Sequence, residues 1–286
     1  ENAALLAETQ GVRTELEALL AALDKQLAAQ ARALAEAARG VVLPYFRSAG
    51  LSAENKLSEG FDPVTAADKA AEQVMRSVLA EQRPDDAIIG EEFGGCAGRS
   101  GLTWVLDPID GTRGFLAGTP TWGVLISVCD AGGPIFGMID QPYVGERFWG
   151  GFGTAEMTGP MGDSSLRVRG SRALSEAILF TTFPEVGTMA ERAGFEAVAQ
   201  HVKLTRFGMD CYAYALLAAG QIDLVIEAGL SNYDICAPIA LIEAAGGIVT
   251  DFKGRDRMLE TGSVIATNAS LDQDFRKLLK KAAKIT

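Results

Sequence analysis

Trp104-Val105-Leu106-Asp107-Pro108-Ile109-Asp110-Gly111-Thr112-Arg113 is the stretch that organises the chain. The apolar run 102–106 predicts a strand that ends in Asp107. Pro108 donates no hydrogen bond and fixes its own φ, so strand pairing is expected to stop there. Asp110 then precedes Gly111 and Thr112. A helix starting at this point would turn its free N–H groups outward as an anion site. Two carboxylates three residues apart, set against such a cradle, can hold a hard divalent cation and a phosphate together. Taken alone, Asp-x-x-Asp also describes a capped strand end, and the surrounding sequence has to separate the two.

Upstream, Ala87-Ile88-Ile89-Gly90 predicts a short strand that delivers Glu91 and Glu92 into a Gly-rich loop running to Gly101. Before it, Thr65 precedes Asp68 at the start of a helix expected over 66–80. A polar loop is expected over 48–63. Residues 2–39 read as helix, with Leu16, Leu20, Leu23, Leu27 and Leu34 in a heptad-like stripe. So short a stripe suits an amphipathic helix packed on the body better than a coiled coil. Gly40 weakens this helix and Pro44 limits it.

Downstream, 124–129, 135–141 and 147–150 predict an antiparallel meander, and a loop covers 153–165. The pattern then changes. Strands expected at 178–182, 224–227, 248–251 and 263–266 alternate with helices at 186–200, 211–219, 235–245 and 271–283, which points to a layered α/β half. Asn232-Tyr233-Asp234 opens the third of these helices, with Asp234 expected at its N-cap and Pro238 in the first turn or just beyond. The chain therefore divides into two intimate subdomains. Residues 1–160 form an α+β part carrying the main acidic motif, and residues 161–286 form an α/β part carrying Asp234.

Composition narrows the classes. With 48% apolar and 22% charged residues, the 286-residue chain is not a disordered one. No run approaches the length of apolar sequence that a transmembrane helix needs. A net charge of −11 disfavours a general affinity for nucleic-acid backbone. Cys96, Cys129, Cys211 and Cys236 are widely separated without zinc-like spacing, and buried, reduced thiols in a cytoplasmic compartment are expected. The Ala-rich start, with its scattered charges, does not read as a secretory signal. The chain opens on Glu1, which is also compatible with an organellar stroma and a removed transit segment. His201 is the single histidine, so a His-based triad or general base is not available. Trp104 and Trp122 are expected in the core.

Gly90-Glu91-Glu92, then Asp107-Pro108-Ile109-Asp110-Gly111-Thr112, then Tyr233-Asp234 ahead of a helix ending in Gly246-Gly247 stand in that order. Over residues 40–270 the chain resembles the inositol monophosphatase family, lithium-sensitive and magnesium-dependent phosphatases. The resemblance implies a layered αβαβα sandwich of the sugar-phosphatase type. It implies a first metal held by Glu91, Asp107 and the carbonyl of Ile109, and a second held by Asp107, Asp110 and Asp234. A third, weaker metal would be held through Glu91 and water, so two to three Mg²⁺ ions are expected per site. Asp68 and Thr112 match the residues that orient and deprotonate the attacking water, and the N–H groups of Gly111 and Thr112 those that hold the phosphate. A homodimer acting on a small phosphorylated metabolite is expected by the same resemblance.

Charge supports such a cation requirement independently. Asp68, Glu91, Asp107, Asp110 and Asp234 would bring five negative charges together, and a phosphate dianion would not enter that field unaided. Divalent cations would offset the charge and help generate the nucleophile.

Asp110-Gly111-Thr112-Arg113-Gly114-Phe115 and Thr205-Arg206-Phe207-Gly208-Met209-Asp210-Cys211-Tyr212 are similar to the histidinol-phosphatase branch of that family. Histidinol phosphate carries cationic groups, and Asp210 and Glu227 are the candidates to meet them. Asp210 is equally placed to cap the helix that follows, and Arg113 either binds substrate or pairs with a neighbouring carboxylate. The leading expectation is a Mg²⁺-dependent histidinol-phosphate phosphatase of histidine biosynthesis. The alternatives are an inositol-1-monophosphatase of broad specificity and a catalytically weak member acting as a binding or regulatory protein.

Overall fold

A computed structural model describes residues 2–55, 63–170, 173–255, 262–268 and 271–283. In chain order, the first part holds α1 (Asn2–Val42), β1 (Ala53–Asn55), β2 (Pro63–Thr65), α2 (Ala66–Gln82), β3 (Ala87–Gly90), β4 (Gly94–Cys96) and β5 (Thr103–Asp110). Then come α3 (Thr112–Ala117), β6 (Gly123–Asp130), β7 (Gly133–Gln141), β8 (Glu146–Gly151), β9 (Thr154–Thr158) and β10 (Ser164–Ser165). The remainder holds β11 (Ile178–Thr181), α4 (Met189–Ala199), β12 (Leu204–Phe207), α5 (Tyr212–Ala218), β13 (Leu224–Ala228), α6 (Asn232–Ala244), β14 (Gly247–Thr250), β15 (Ser263–Asn268) and α7 (Asp272–Ala283).

These elements stack as an αβαβα sandwich. An eight-stranded sheet runs β10-β9-β8-β7-β6-β5-β3-β4, and a five-stranded sheet runs β12-β11-β13-β15-β14. Alternation along each strand sends side chains to opposite faces. Trp104, Leu106, Val124 and Ile126 meet Leu27 and Leu34 of α1 and Met75 and Leu79 of α2 in the outer layer. Leu125, Ile139 and Phe148 point the other way, onto Leu217 of α5 and Ile239, Leu241 and Ile242 of α6. Those two helices also cover Val225 and Ala266 of the smaller sheet. The far face of that sheet, with Leu224, Ile226 and Ile265, is covered by Phe195 of α4 and Phe275 and Leu279 of α7. So α6, which carries Asp234, is sandwiched between the two sheets.

Several expectations change. The expected loop at 153–165 contains β9 and β10, which extend the large sheet. The 48–63 loop pairs β1 with β2, and its residues 56–62 lie outside those described. Leu204–Phe207 is an edge strand that the sequence reading did not mark. The smaller sheet is mixed, because β15 pairs antiparallel with both β13 and β14. Gly40 does not end α1, which continues to Val42, two residues before Pro44. The leucine stripe is buried at Leu27 and Leu34, whereas Leu16 is 54% exposed, so the helix runs past the body on its N-terminal side. Cys211 and Cys236 are buried as expected, while Cys96 is exposed. Trp104 and Trp122 are both in the core.

The decisive local feature lies in β5. Pairing does not end at Asp107, as Pro108 suggested. Asp107 pairs with Leu125, and pairing resumes at Asp110 with Gly123. Three steps on β5 face two on β6, which is a bulge of one residue. In a regular strand, residues three apart point to opposite faces. The extra residue cancels that reversal, so Asp107 and Asp110 emerge on one side.

Candidate active site

Carboxylate oxygens of Asp107, Asp110 and Asp234 lie within 4.8 Å of one another. Asp107 and Asp110 arrive from the bulged end of β5, and Asp234 from the first turn of α6. Asp234 is not the N-cap of that helix. Ser231 occupies the cap with extended backbone, and its N–H donates to Asp234 Oδ2 at 2.6 Å. Asp234 is thus the third helical residue of a capping box, held by the helix end it stabilises. Pro238 lies in the second turn, where it leaves the carbonyl four residues back, that of Asp234, without the usual helical donor.

A cleft of about 250 Å³ opens over this cluster. Its walls include Glu91, Ile109, Gly111, Thr112, Arg113, Asp210 and Glu227 as well as the three aspartates. Of the residues nominated from sequence, only Asp68 does not line it. Asp68 is fully buried in the first turn of α2, where its Oδ2 accepts from the N–H and hydroxyl of Thr65 at 2.9 and 2.5 Å. Its Oδ1 stands 3.3 Å from Thr112 Oγ1, which also lies 3.0 Å from Ile109 O. One hydroxyl carries one proton, so Thr112 donates to either oxygen while its lone pairs stay available to the cleft.

Gly111 turns the chain from β5 into α3 with φ +84°, the left-handed region. A Cβ there would also sit 2.7 Å from Asp210 Cγ. Asp210 does not cap α5, which begins only at Tyr212. Its backbone is left-handed, with φ +48°, and its Oδ2 accepts from Thr121 Oγ1 at 2.8 Å. The neighbouring Cys211 N–H donates to Asp110 Oδ2 at 2.6 Å. The 210–211 turn therefore places one carboxylate in the cleft wall and orients another in the cluster.

Part of the cleft lining around Glu227 and Arg113 was not legible from motifs. Glu227 Oε1 accepts from the N–H and hydroxyl of Thr182 at 2.8 and 2.5 Å, and Oε2 from the Tyr214 hydroxyl at 2.6 Å. The Arg113 guanidinium lies over the Phe183 ring, 4.9 Å from its centroid. Thr182, Phe183, Glu185 and Tyr214 were missed; the first three follow directly on the strand at 178–181, and Tyr214 sits inside the apolar helix α5 with no motif to mark it. His201 is exposed and accompanies Ala197 O at 2.8 Å, outside the cleft.

The electrostatics ask for a cation. Burial pushes the Asp107 carboxyl well above the usual carboxylate range, and the carboxylates of Glu91, Asp110 and Asp234 push it further. Asp110 is raised by burial, then by Asp234 and Asp210, against the opposing bond from Cys211. Burial also raises Glu227 and Asp210, the latter opposed by Thr121 and Arg113. Clustered buried oxygen donors that resist ionising together suit hard divalent cations. Such raised values favour the protonated fold, so they stabilise below the ordinary carboxylate range and the advantage is lost as pH rises through the raised values. We expect the metal-free protein to melt at lower temperature in mildly alkaline than in mildly acidic buffer. Asp107→Asn should shrink that difference in thermal unfolding with a chelator present. An unchanged pH trend in the variant would locate the effect elsewhere.

Comparison with known proteins identifies the family. The chain is 40% identical over 246 residues to a protein named bifunctional phosphatase IMPL2, chloroplastic, from Arabidopsis thaliana, covering 85% of this chain and 69% of that one. It is 33% identical over 252 residues to a histidinol-phosphatase from Streptomyces coelicolor, covering 86% and 93%. Among solved structures, an inositol monophosphatase from Zymomonas mobilis superposes with a TM-score of 0.78 at 34% identity, covering 90% and 98%. No helix among the described residues is long and apolar enough to cross a membrane. The inositol monophosphatase family model matches residues 23–285, and on that match and the acidic cleft the chain belongs to this family of phosphatases, hydrolases of phosphoric monoesters.

Proposed function

We propose that the protein is a Mg²⁺-dependent histidinol-phosphate phosphatase, releasing histidinol and inorganic phosphate. The observation that carries the choice of substrate is the acidic lining beyond the aspartate cluster. Asp210, Glu227 and Glu185 add carboxylates to the cleft lining that phosphate binding does not need and that a cationic head group could meet. Phe183 and Tyr214 add aromatic surface suited to an imidazole.

In this reading, Glu91, Asp107, Asp110, Asp234 and the Ile109 carbonyl hold two to three Mg²⁺ ions. When bound, these ions neutralise phosphate charge, lower the pKa of water and stabilise the leaving alkoxide. The N–H groups of Gly111 and Thr112, at the start of α3, take phosphate oxygens. Asp68 and Thr112 orient the attacking water, with the buried Asp68 carboxylate accepting its proton through the Thr112 hydroxyl. Attack in line displaces the alkoxide, which takes its proton from solvent as Asp68 returns one to solvent, and the water's second proton stays on the released phosphate. Arg113, stacked on Phe183, faces the substrate side. The site falls between the 1–160 and 161–286 subdomains.

A second reading, an inositol-1-monophosphatase of broad specificity, is favoured by one detail. Glu227 already accepts from Thr182 and Tyr214, so its remaining capacity suits a neutral hydroxyl as well as a cation. Phosphate release from histidinol phosphate, inositol 1-phosphate, fructose 1,6-bisphosphate and adenosine 3′,5′-bisphosphate, with and without Mg²⁺, separates the two. Absence of release from all four would instead favour a binding or regulatory role.

Asp210→Asn refines the test. A hydrogen bond to a charged group contributes about 1.5–3 kcal/mol, or roughly 10- to 150-fold in affinity. KM for histidinol phosphate should rise by about that factor, with a smaller change in kcat. Glycerol 2-phosphate, lacking a cationic head, should be almost unaffected. Equal losses on both esters would make Asp210 a structural group.

A further inference from the structure

We propose that Glu72 is a positioning residue for Glu91, setting the metal affinity of the site without touching metal or substrate. The proposal rests on reading Glu91 as a metal ligand. Glu72 lies on α2 four residues after Asp68, on the same helix face, and is fully buried. Its Oε2 accepts from the Glu92 N–H at 2.7 Å, and its Oε1 from the Phe93 N–H at 3.2 Å and Arg76 Nε at 2.7 Å. Arg76 in turn donates to the Gly94 carbonyl. The turn that follows β3 is therefore fastened to α2 immediately after Glu91.

The fastening accounts for a residue type as well. A Cβ at Gly90 would lie 2.0 Å from Glu72 Oε1, so the residue before Glu91 has room only for hydrogen. Gly90 is not among the positive-φ glycines, so space alone constrains it. A buried carboxylate without donors would be costly. Here backbone N–H groups and a guanidinium satisfy it, and in return they fix the backbone that aims Glu91. One helix face thereby holds Asp68, on the water side of the cleft, in register with Glu91, on the metal side. Residues that orient a metal ligand contribute about 10- to 100-fold in metal affinity.

The test is a double-mutant cycle on the intact protein, read by binding of Mn²⁺ alone through loss of the free-ion EPR signal. Glu72→Gln keeps size but removes charge and one acceptor, and should weaken Mn²⁺ binding about 10-fold or more. In a Glu91→Gln background the same change should add less than about 2-fold, because coupled residues are non-additive. Gly90→Ala, which displaces the Glu72 carboxylate without removing it, should weaken Mn²⁺ binding in the same direction. In phosphate release, Glu72→Gln should raise the half-saturating Mg²⁺ far more than it lowers kcat at saturating Mg²⁺. Unchanged Mn²⁺ binding in Glu72→Gln, or in Gly90→Ala should the first variant not fold, overturns the proposal. So does an equal loss in both backgrounds, which would mark a general structural effect. Unchanged binding in Glu91→Gln alone would instead overturn the assignment of Glu91, and with it the role given to Glu72.

Discussion

Asp107→Asn is expected to abolish phosphate release, with a loss greater than about 10³-fold at any Mg²⁺ concentration. Removing a single oxyanion donor in other enzymes already costs about 10²–10³-fold, and Asp107 is proposed to be among the residues that would hold the cations. Its position explains the severity. It is 1% exposed, its Oδ1 accepts from the Ile109 N–H at 3.0 Å, and its carboxylate shares the cluster with Asp110 and Asp234. Asparagine keeps the shape and one acceptor but not the charge. The fold should therefore survive, and the metal-free variant should melt higher than the parent, since like-charge repulsion is relieved. Loss of activity together with a raised melting temperature is a combination that simple unfolding does not produce. Near-normal turnover at saturating Mg²⁺ would sink the metal-site assignment.

Thr112→Ala is expected to lower kcat by about 10²–10⁴-fold, the usual contribution of a proton-transfer group, with little change in KM. The Thr112 hydroxyl links the buried Asp68 to the cleft, at 3.3 Å. Alanine cuts it, while the backbone N–H at 112 remains for the phosphate. Thr112→Ser keeps the hydroxyl and should restore most of kcat. A change confined to KM, or a serine variant as poor as alanine, would move Thr112 from proton handling to binding or packing.

Local signals carried much of the architecture. Apolar alternation located β6, β7 and β8, and the 3.6-residue period with Thr65 and Asp68 located α2. Both depend on neighbours in the chain, so one sequence suffices to read them. The acidic motifs at 91, 107–112 and 234 were legible because their residue types and spacing are specific, and all three converge on one cleft. Edge strands such as β12 and β10 were not legible, because short strands are stabilised by partners distant in sequence rather than by their own pattern.

Sequence by itself determined which carboxylates this protein has and which of them open or close a strand or helix. Only the tertiary structure decided how they face each other. The bulge between Asp107 and Asp110 exists in the register against β6, and without it the two side chains would leave opposite faces of the strand. Sequence left Asp210 either a substrate contact or a helix cap, and the fold sets it in the cleft wall, where Thr121, 89 residues earlier, offers its hydroxyl. Glu72 carried no motif at all, and besides Arg76 on its own helix its partners are backbone N–H groups 20 and 21 residues away. Backbone donors are the same at every residue, so sequence cannot mark which of them a buried carboxylate will meet. That choice follows from burial, which leaves a desolvated charge only the donors the fold brings within reach.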